Sequence, residues 1–426
     1  MAKQVDRKSK RTAWRDLLGP GLITGAADDD PSGIATYSQA GAQFGFAPLW
    51  TLLLTYPLMV GIQLASARIG RVTGRGLAAN MRQVMPSWMV VALVLLLLAA
   101  NIFNISADLA AMGDAMEMMG AGHSQTYVTL FGLVSLLLQV FVPYHRYAGF
   151  LKWLTLGLLA YVGVVLFVDI PWWTVLRSTL VPTLQSGPGY ANLVVAILGT
   201  TISPYLFFWQ AGQEVEELTV QPDHAPLKET PEQAVEHLNR MRTDTVIGMG
   251  FSNLIAFFIM ATAAATLHVH GITEIRSSAD AAQALAPIAG HFAGTLFAVG
   301  IVGTGLLAVP VLAGSAAYAV ADALNWRQGL YLELGQARSF YGIIAFSMMV
   351  AVLLDLRDVE AMRVLVWSAM ANGVVAVPMM VAVMKVATNG RLLGPFVASH
   401  RLAALGWLAT ALMAASSASL LWNFMR

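Results

Sequence analysis

The chain has 426 residues, 57% of them hydrophobic and 12% charged, and its mean hydropathy is +0.65. A soluble domain carries about twice that share of charge, so the composition points to a protein built mostly of membrane spans, and a net charge of +1 offers no bulk field for nucleic acid. Cysteine is absent, which excludes disulfides and thiolate metal sites.

The N-terminus, MAKQVDRKSKRTAWRDLLGPG, is basic and lacks the short apolar core and small-residue cleavage site of a signal peptide. Apolar runs of spanning length, about 20 residues each, then follow in order. They fall near 16–43, 48–70, 87–112, 124–143, 148–169, 190–212, 244–267, 292–324, 339–355, 361–385 and 399–425, which makes eleven. The first and sixth are interrupted, and the eighth is long enough to tilt. With the N-terminus inside, 20 of the 25 Lys and Arg residues fall on the inner side and 5 on the outer, as the positive-inside rule requires. Short loops and this bias predict a bacterial inner-membrane protein with a cytoplasmic N-terminus. The whole chain, 1–426, reads as a single transmembrane unit, expected to be a monomer in the lipid bilayer. The longest inner loop is 213–243. Thr230, Pro231 and Gln233 there fit a helix start and predict a short cytoplasmic helix, with Glu214, Glu216 and Glu217 on a solvated face.

The first interruption is the stretch GAADDDPSG. Asp28, Asp29 and Asp30 stand at membrane depth, followed by Pro31, Ser32 and Gly33. An ionised side chain there costs several kcal/mol and faces a wet cavity or a partner. Pro31 removes a helical hydrogen bond and Gly33 permits unwinding. The freed carbonyls are tolerated only where protein or water meets them. Carboxylates beside free carbonyls form the ligand set of a hard cation. The sixth run has a matching break at Gly199, Thr200, Thr201, Ser203 and Pro204. Breaks in the first and sixth spans are the offset of two inverted five-span repeats, 16–169 and 190–385, with 399–425 as an extra helix and a site between the broken helices. A proline alone merely kinks a helix; the three acids favour the cation site.

In the third span, Asn101, Asn104 and Asp108 share a helical face. They form a cavity wall or an interhelical hydrogen-bond network, and both readings stand. His268 and His270 make an H-x-H pair by type, but two such side chains supply too few ligands. They read as a solvated loop. No nucleophile–base pair, zinc helix motif or phosphate-binding glycine loop marks an enzyme.

At these residues the chain resembles the Nramp family of divalent-metal transporters. The resemblance runs from GPGLITGAADDDPSGIATYSQAGAQFGF through LWTLLLTYPLMVGIQLASARIGRVTG. It continues at ISADLAAMG, GTTISPYLFFWQ and RTDTVIGMGFSNLIAFFI, and covers nearly the whole chain. It implies an all-α membrane protein of the LeuT type, an inverted five-plus-five repeat with discontinuous helices 1 and 6 and an eleventh span. The implied metal ligands are Asp30, the Thr200 carbonyl and Ser203, with Asn372 near the position of a tenth-span glutamine and Met370 as the other candidate.

The departures from the family pattern have a direction. Gly33 stands in place of an asparagine ligand, Ser203 in place of a methionine and Tyr205 in place of a histidine tied to proton movement. Ala111 replaces one of two third-span acids, leaving Asp108. Losing the thioether removes the preference for softer ions. A wider, all-oxygen pocket suits a partly hydrated Mg²⁺, and Asp28 and Asp29 add acceptors for its water. The pattern resembles the Nramp-related magnesium transporter branch. The expected function is import of Mg²⁺, and also Mn²⁺, by alternating access without proton coupling; no cofactor is implied. The rival readings are a proton-coupled Mn²⁺/Fe²⁺ importer and a sodium-linked symporter of organic substrates. The acids disfavour the symporter of anionic substrates.

Overall fold

The structure, a computed structural model, describes residues 20–120, 122–142, 158–185, 188–220, 224–354 and 359–425. Among them, regular structure is helical throughout. Span one is two helices, Pro20–Asp28 and Pro31–Phe44. Pro31 opens the second half at the position where a missing N–H costs nothing, and Gly45 ends it at φ 59°. Span two is Trp50–Thr73, closed by Gly74 in the left-handed region. Span three is Ser87–Met118 and span four Ser124–Phe141. The described part of span five is Leu159–Phe167; the expected run from 148 to 157, and the basic segment 1–15, lie outside the described residues. Span six is again two helices, Pro188–Thr201 and Pro204–Val220. Spans eight to eleven are Ala293–Leu324, Arg338–Leu353, Ala361–Ala387 and His400–Met425. Among the described residues, eight helices are long and apolar enough to cross a membrane.

The segment before span seven differs from the expectation. Pro231–Gln233 forms a 3₁₀ turn that runs straight into Ala234–Ala263. The expected separate cytoplasmic helix is therefore the opening of span seven. Residues 234–247 hold no glycine or proline to stop the helix, and extending a formed helix is easier than starting a second one. Thr230 does not cap it; its hydroxyl donates to the carbonyls of Ala225 and Pro226.

The packing pattern is that of an inverted pair. Span one packs on span seven, and span six packs on span two. Span three lies along span eight, span four on span three, and span nine on span eight. Exchanging spans one to five with six to ten maps each contact onto the other or onto itself. The close approaches use small residues, as in other membrane bundles. A Cβ on Gly25 would lie 2.3 Å from the Gly248 backbone of span seven, and one on Gly199 would lie 2.1 Å from the Ala369 carbonyl of span ten.

Candidate functional site

The two helix breaks face each other. Asp30 is the N-cap of the second half of span one, at φ −72° and ψ 168°. Its Oδ1 accepts the Gly33 amide at 2.7 Å, and its Oδ2 accepts Asn104 Nδ2 at 3.2 Å. The positive end of the helix dipole thus meets the carboxylate, and each oxygen keeps lone-pair capacity for a further partner. Asn104 is held from its other side by Ser368 Oγ of span ten, 2.6 Å from its Oδ1. Ser32 Oγ donates to the Leu365 carbonyl at 3.1 Å. Span ten therefore reaches the site through Leu365 and Ser368. Asn372, one turn beyond Ser368, is buried with its Oδ1 unpartnered. Met370 lies instead on the wall of an open vestibule.

At the sixth-span break the hydroxyls turn inward. Ser203 Oγ lies 2.7 Å from the Thr200 carbonyl and 2.9 Å from the Gly199 carbonyl. The hydroxyl proton is taken up by these carbonyls, which leaves its lone pairs, and one on the Thr200 carbonyl, to accept. Thr201 Oγ1 meets Tyr37 OH at 3.0 Å. The room opposite Gly33 is filled in this conformer: a Cβ there would meet Thr200 Oγ1 at 3.3 Å and the Tyr37 ring at 3.4 Å. Tyr205 OH donates to the Ala27 carbonyl at 3.2 Å, one of the orphan carbonyls at the end of the first half-helix.

Asp28 and Asp29 sit just behind, buried against span seven. Ser252 Oγ is 2.6 Å from Asp28 Oδ2 and 3.0 Å from Asp29 Oδ1. A hydroxyl has one proton, so it serves one carboxyl at a time. Asp28 Oδ1 has no partner. Asp108 lies on the third-span face with Asn104, fully buried, and among the described residues neither of its oxygens is hydrogen-bonded. Asn101 on that face turns to span eight instead, donating to the Leu312 carbonyl at 2.9 Å and to Ser315 Oγ at 2.7 Å. Asn101 and Asn104 of the third-span face thus join an interhelical hydrogen-bond network. Among the described residues, no Lys, Arg or His forms an ion pair with any of these four acids.

Toward the end that carries Phe44, a vestibule of about 360 Å³ opens between spans one, six and ten. Gln39 on its wall holds the loop after span seven, donating to the Thr273 carbonyl at 3.1 Å and accepting the Ile275 amide at 2.9 Å. Glu274 of that loop pairs with Arg363 of span ten at 3.3 Å. Along span one, Tyr37 stands between this vestibule and Asp30. The opposite end is closed by charge. Arg71 and Glu214, 1% and 2% exposed, approach to 3.7 Å, and Arg71 also reaches Glu217 at 3.6 Å and His237 Nδ1 at 2.6 Å. Glu217 in turn pairs with Arg240, and Glu216 accepts from Tyr318. The expectation of a solvated acidic face at 214–217 is therefore wrong. Span six continues to Val220 and carries these acids into a packed interface, where basic and hydroxyl groups meet them. His268 and His270 each take a backbone carbonyl, of Ala42 and Thr266, and do not act as a pair.

Ser252 and Ser368 are the site residues that the sequence does not single out. Each is a lone hydroxyl in an apolar helix, and only Ser368, one turn before Asn372, carries a positional hint.

Two broken helices meeting in a bundle of apolar helices, with buried acids and with carbonyls outside the helical ladder where they meet, define a multi-pass membrane transporter. Residues 21–423 match the family of natural resistance-associated macrophage protein-like (Nramp) proteins, and the chain belongs to that family. It is a transporter and not an enzyme. A relative from Deinococcus radiodurans, named divalent metal cation transporter MntH, is 28% identical over 96% of this chain and 90% of its own length. A Klebsiella pneumoniae protein of the same name is 24% identical over 97% of this chain and 96% of its own length. In structure, the chain is similar to a manganese transporter from Eremococcus coleocola, with TM-score 0.75 at 16% identity over 97% of this chain and 89% of that one. It is similar also to Mhp1, a nucleobase-cation-symport-1 family transporter, with TM-score 0.54 at 14% identity over 95% and 92%. These two likenesses concern the fold.

Proposed function

We propose that this chain imports divalent metal cations, Mg²⁺ and also Mn²⁺, by alternating access around the crossing of its two broken helices, without obligatory proton coupling. The carrying observation is Asp30. Its carboxylate caps one half-helix, is oriented by Asn104, and faces a second break whose groups are all oxygens. The divalent class is supported by relatives named divalent metal cation transporters. Mg²⁺ is supported by the donor set. Asp30, the Thr200 carbonyl and Ser203 Oγ are hard ligands, and none of these donors is sulfur or imidazole. Asp28, Asp29 and Asn372 have acceptor oxygens that would take the hydrogens of retained water. Gly33 contributes no side-chain ligand. With the inner side at the N-terminus, the membrane potential drives cation entry by about 2.3 kcal/mol per charge per 100 mV. The expected location is the bacterial plasma membrane.

A second reading, a proton-coupled Mn²⁺/Fe²⁺ importer, draws on the same cluster of acids, since Asp28 and Asp29 could carry protons in place of the missing groups. Uptake into proteoliposomes separates the two. With Mg²⁺, Mn²⁺ and Ca²⁺ compared and internal pH recorded, Mg²⁺ should enter without internal acidification. Entry that acid outside strongly accelerates, with protons following the metal, would establish the second reading.

A further inference from the structure

We propose that Asp108 is a direct ligand of the transported cation, so that Asp30 from span one and Asp108 from span three hold the ion between them. This rests on the reading of Asp30 as the anchor.

Asp108 is 0% exposed, and among the described residues neither carboxylate oxygen has a hydrogen-bond partner. The Ser32 amide, at the span-one break, faces it without reaching hydrogen-bond geometry. Buried polar groups are nearly always satisfied, and an unpaired charge in a low-dielectric interior is costly. Protonation would not resolve this. A neutral acid in the same position would still leave its O–H without an acceptor. Among the described residues no basic side chain pairs with it. What is missing is a partner that binds both oxygens or one strongly, and carries positive charge.

The neighbourhood says where that partner sits. Asn104 and Asp108 are one turn apart on span three, and therefore neighbours on one face. Asn104 is already oriented by two bonds: Nδ2 to Asp30 Oδ2 at 3.2 Å and Oδ1 from Ser368 Oγ at 2.6 Å. It is a positioning residue that sets Asp30 and leaves Asp108 as the open group of the pair. Asp28 and Asp29 share Ser252, whereas among the described residues no side chain is hydrogen-bonded to Asp108. A divalent ion between Asp30 and Asp108 balances two carboxylates with two positive charges, and it draws spans one and three together when bound. Span three lies along span eight, so the ligand would couple ion binding to both repeats.

The test is calorimetric titration of the purified full-length protein with MgCl₂ and with MnCl₂, for the natural chain, Asp108→Asn and Asp30→Ala, with thermal unfolding measured on each. Removing one charged ligand should weaken binding of both ions about tenfold or more while Asp108→Asn stays folded. Unchanged affinity in Asp108→Asn, with binding abolished in Asp30→Ala, overturns this inference and leaves the proposed function standing. Lowered thermal stability with unchanged affinity shows a packing role and overturns it equally. Undiminished binding in Asp30→Ala overturns the anchor and the inference with it. If Asp108→Asn does not fold, Asp108→Glu keeps the charge and moves the oxygens by one methylene. An altered ratio of Mg²⁺ to Mn²⁺ affinity supports direct ligation, and an unaltered ratio and affinity contradict it.

Discussion

In the proposed function, Ser203 would set which ions this notch prefers. Its hydroxyl bridges the Gly199 and Thr200 carbonyls at 2.9 and 2.7 Å, so it stabilises the break and offers oxygen to the ion. Ser203→Met would replace that oxygen with a polarizable sulfur. Uptake of Mn²⁺ or Cd²⁺ relative to Mg²⁺ should rise about tenfold, equivalent to about 1.4 kcal/mol; an unchanged ratio in competition uptake would contradict the selectivity argument. At this scale the sequence is readable where chemistry is local. Asp30 stands out because a carboxylate followed by proline at membrane depth is costly unless something positive or wet meets it. Glu214 is misleading in the sequence because its partner, Arg71, is distant in the chain, and no local pattern tells a buried ion pair from a solvated face. Ser252 is invisible for the same reason, since its role depends on span one packing against span seven.

The half-helices work because their neighbours come close. Gly199 sits against the Ala369 carbonyl and Gly373 of span ten, where an added Cβ would lie 2.1 and 2.5 Å from backbone atoms. Backbone cannot yield as a flexible side chain does, so Gly199→Val should push the first half of span six away from span ten. The expected cost is about 1–3 kcal/mol, read as a lower midpoint in thermal unfolding in detergent, with transport reduced as well. Unfolding and uptake both equal to the natural chain would show that this contact does not set the break. Element boundaries are legible where apolar runs end at strong stop signals. Span eight is expected at 292–324 and is Ala293–Leu324, ended by Asn325 in the left-handed region. They are not legible where a helix continues as a polar segment. The first turns of span seven are charged, with Glu236, Arg240 and Arg242, and hydropathy places the start near 244 although the helix begins at Ala234.

The two ends of the bundle are built differently. One end holds a vestibule of about 360 Å³ strapped by Gln39, Glu274 and Arg363. The other is shut by the Arg71, Glu214 and Glu217 cluster with Arg240. An asymmetric bundle around a central crossing is what alternating access between inverted repeats requires, and the exchange of the closed end would expose Asp30 from the opposite side. The repeat itself is legible because both breaks carry proline at matching offsets; the closing network is not, because it joins spans two, six and seven from distant parts of the chain. In the proposed function, a divalent ion is held where the two broken helices meet. The most direct measurement is anomalous diffraction from crystals of the purified protein grown with Mn²⁺. One strong peak is expected between the helix breaks, about 2.0–2.6 Å from an Asp30 oxygen and adjacent to the Thr200 carbonyl. A peak elsewhere in the bundle, with none at Asp30, would contradict it.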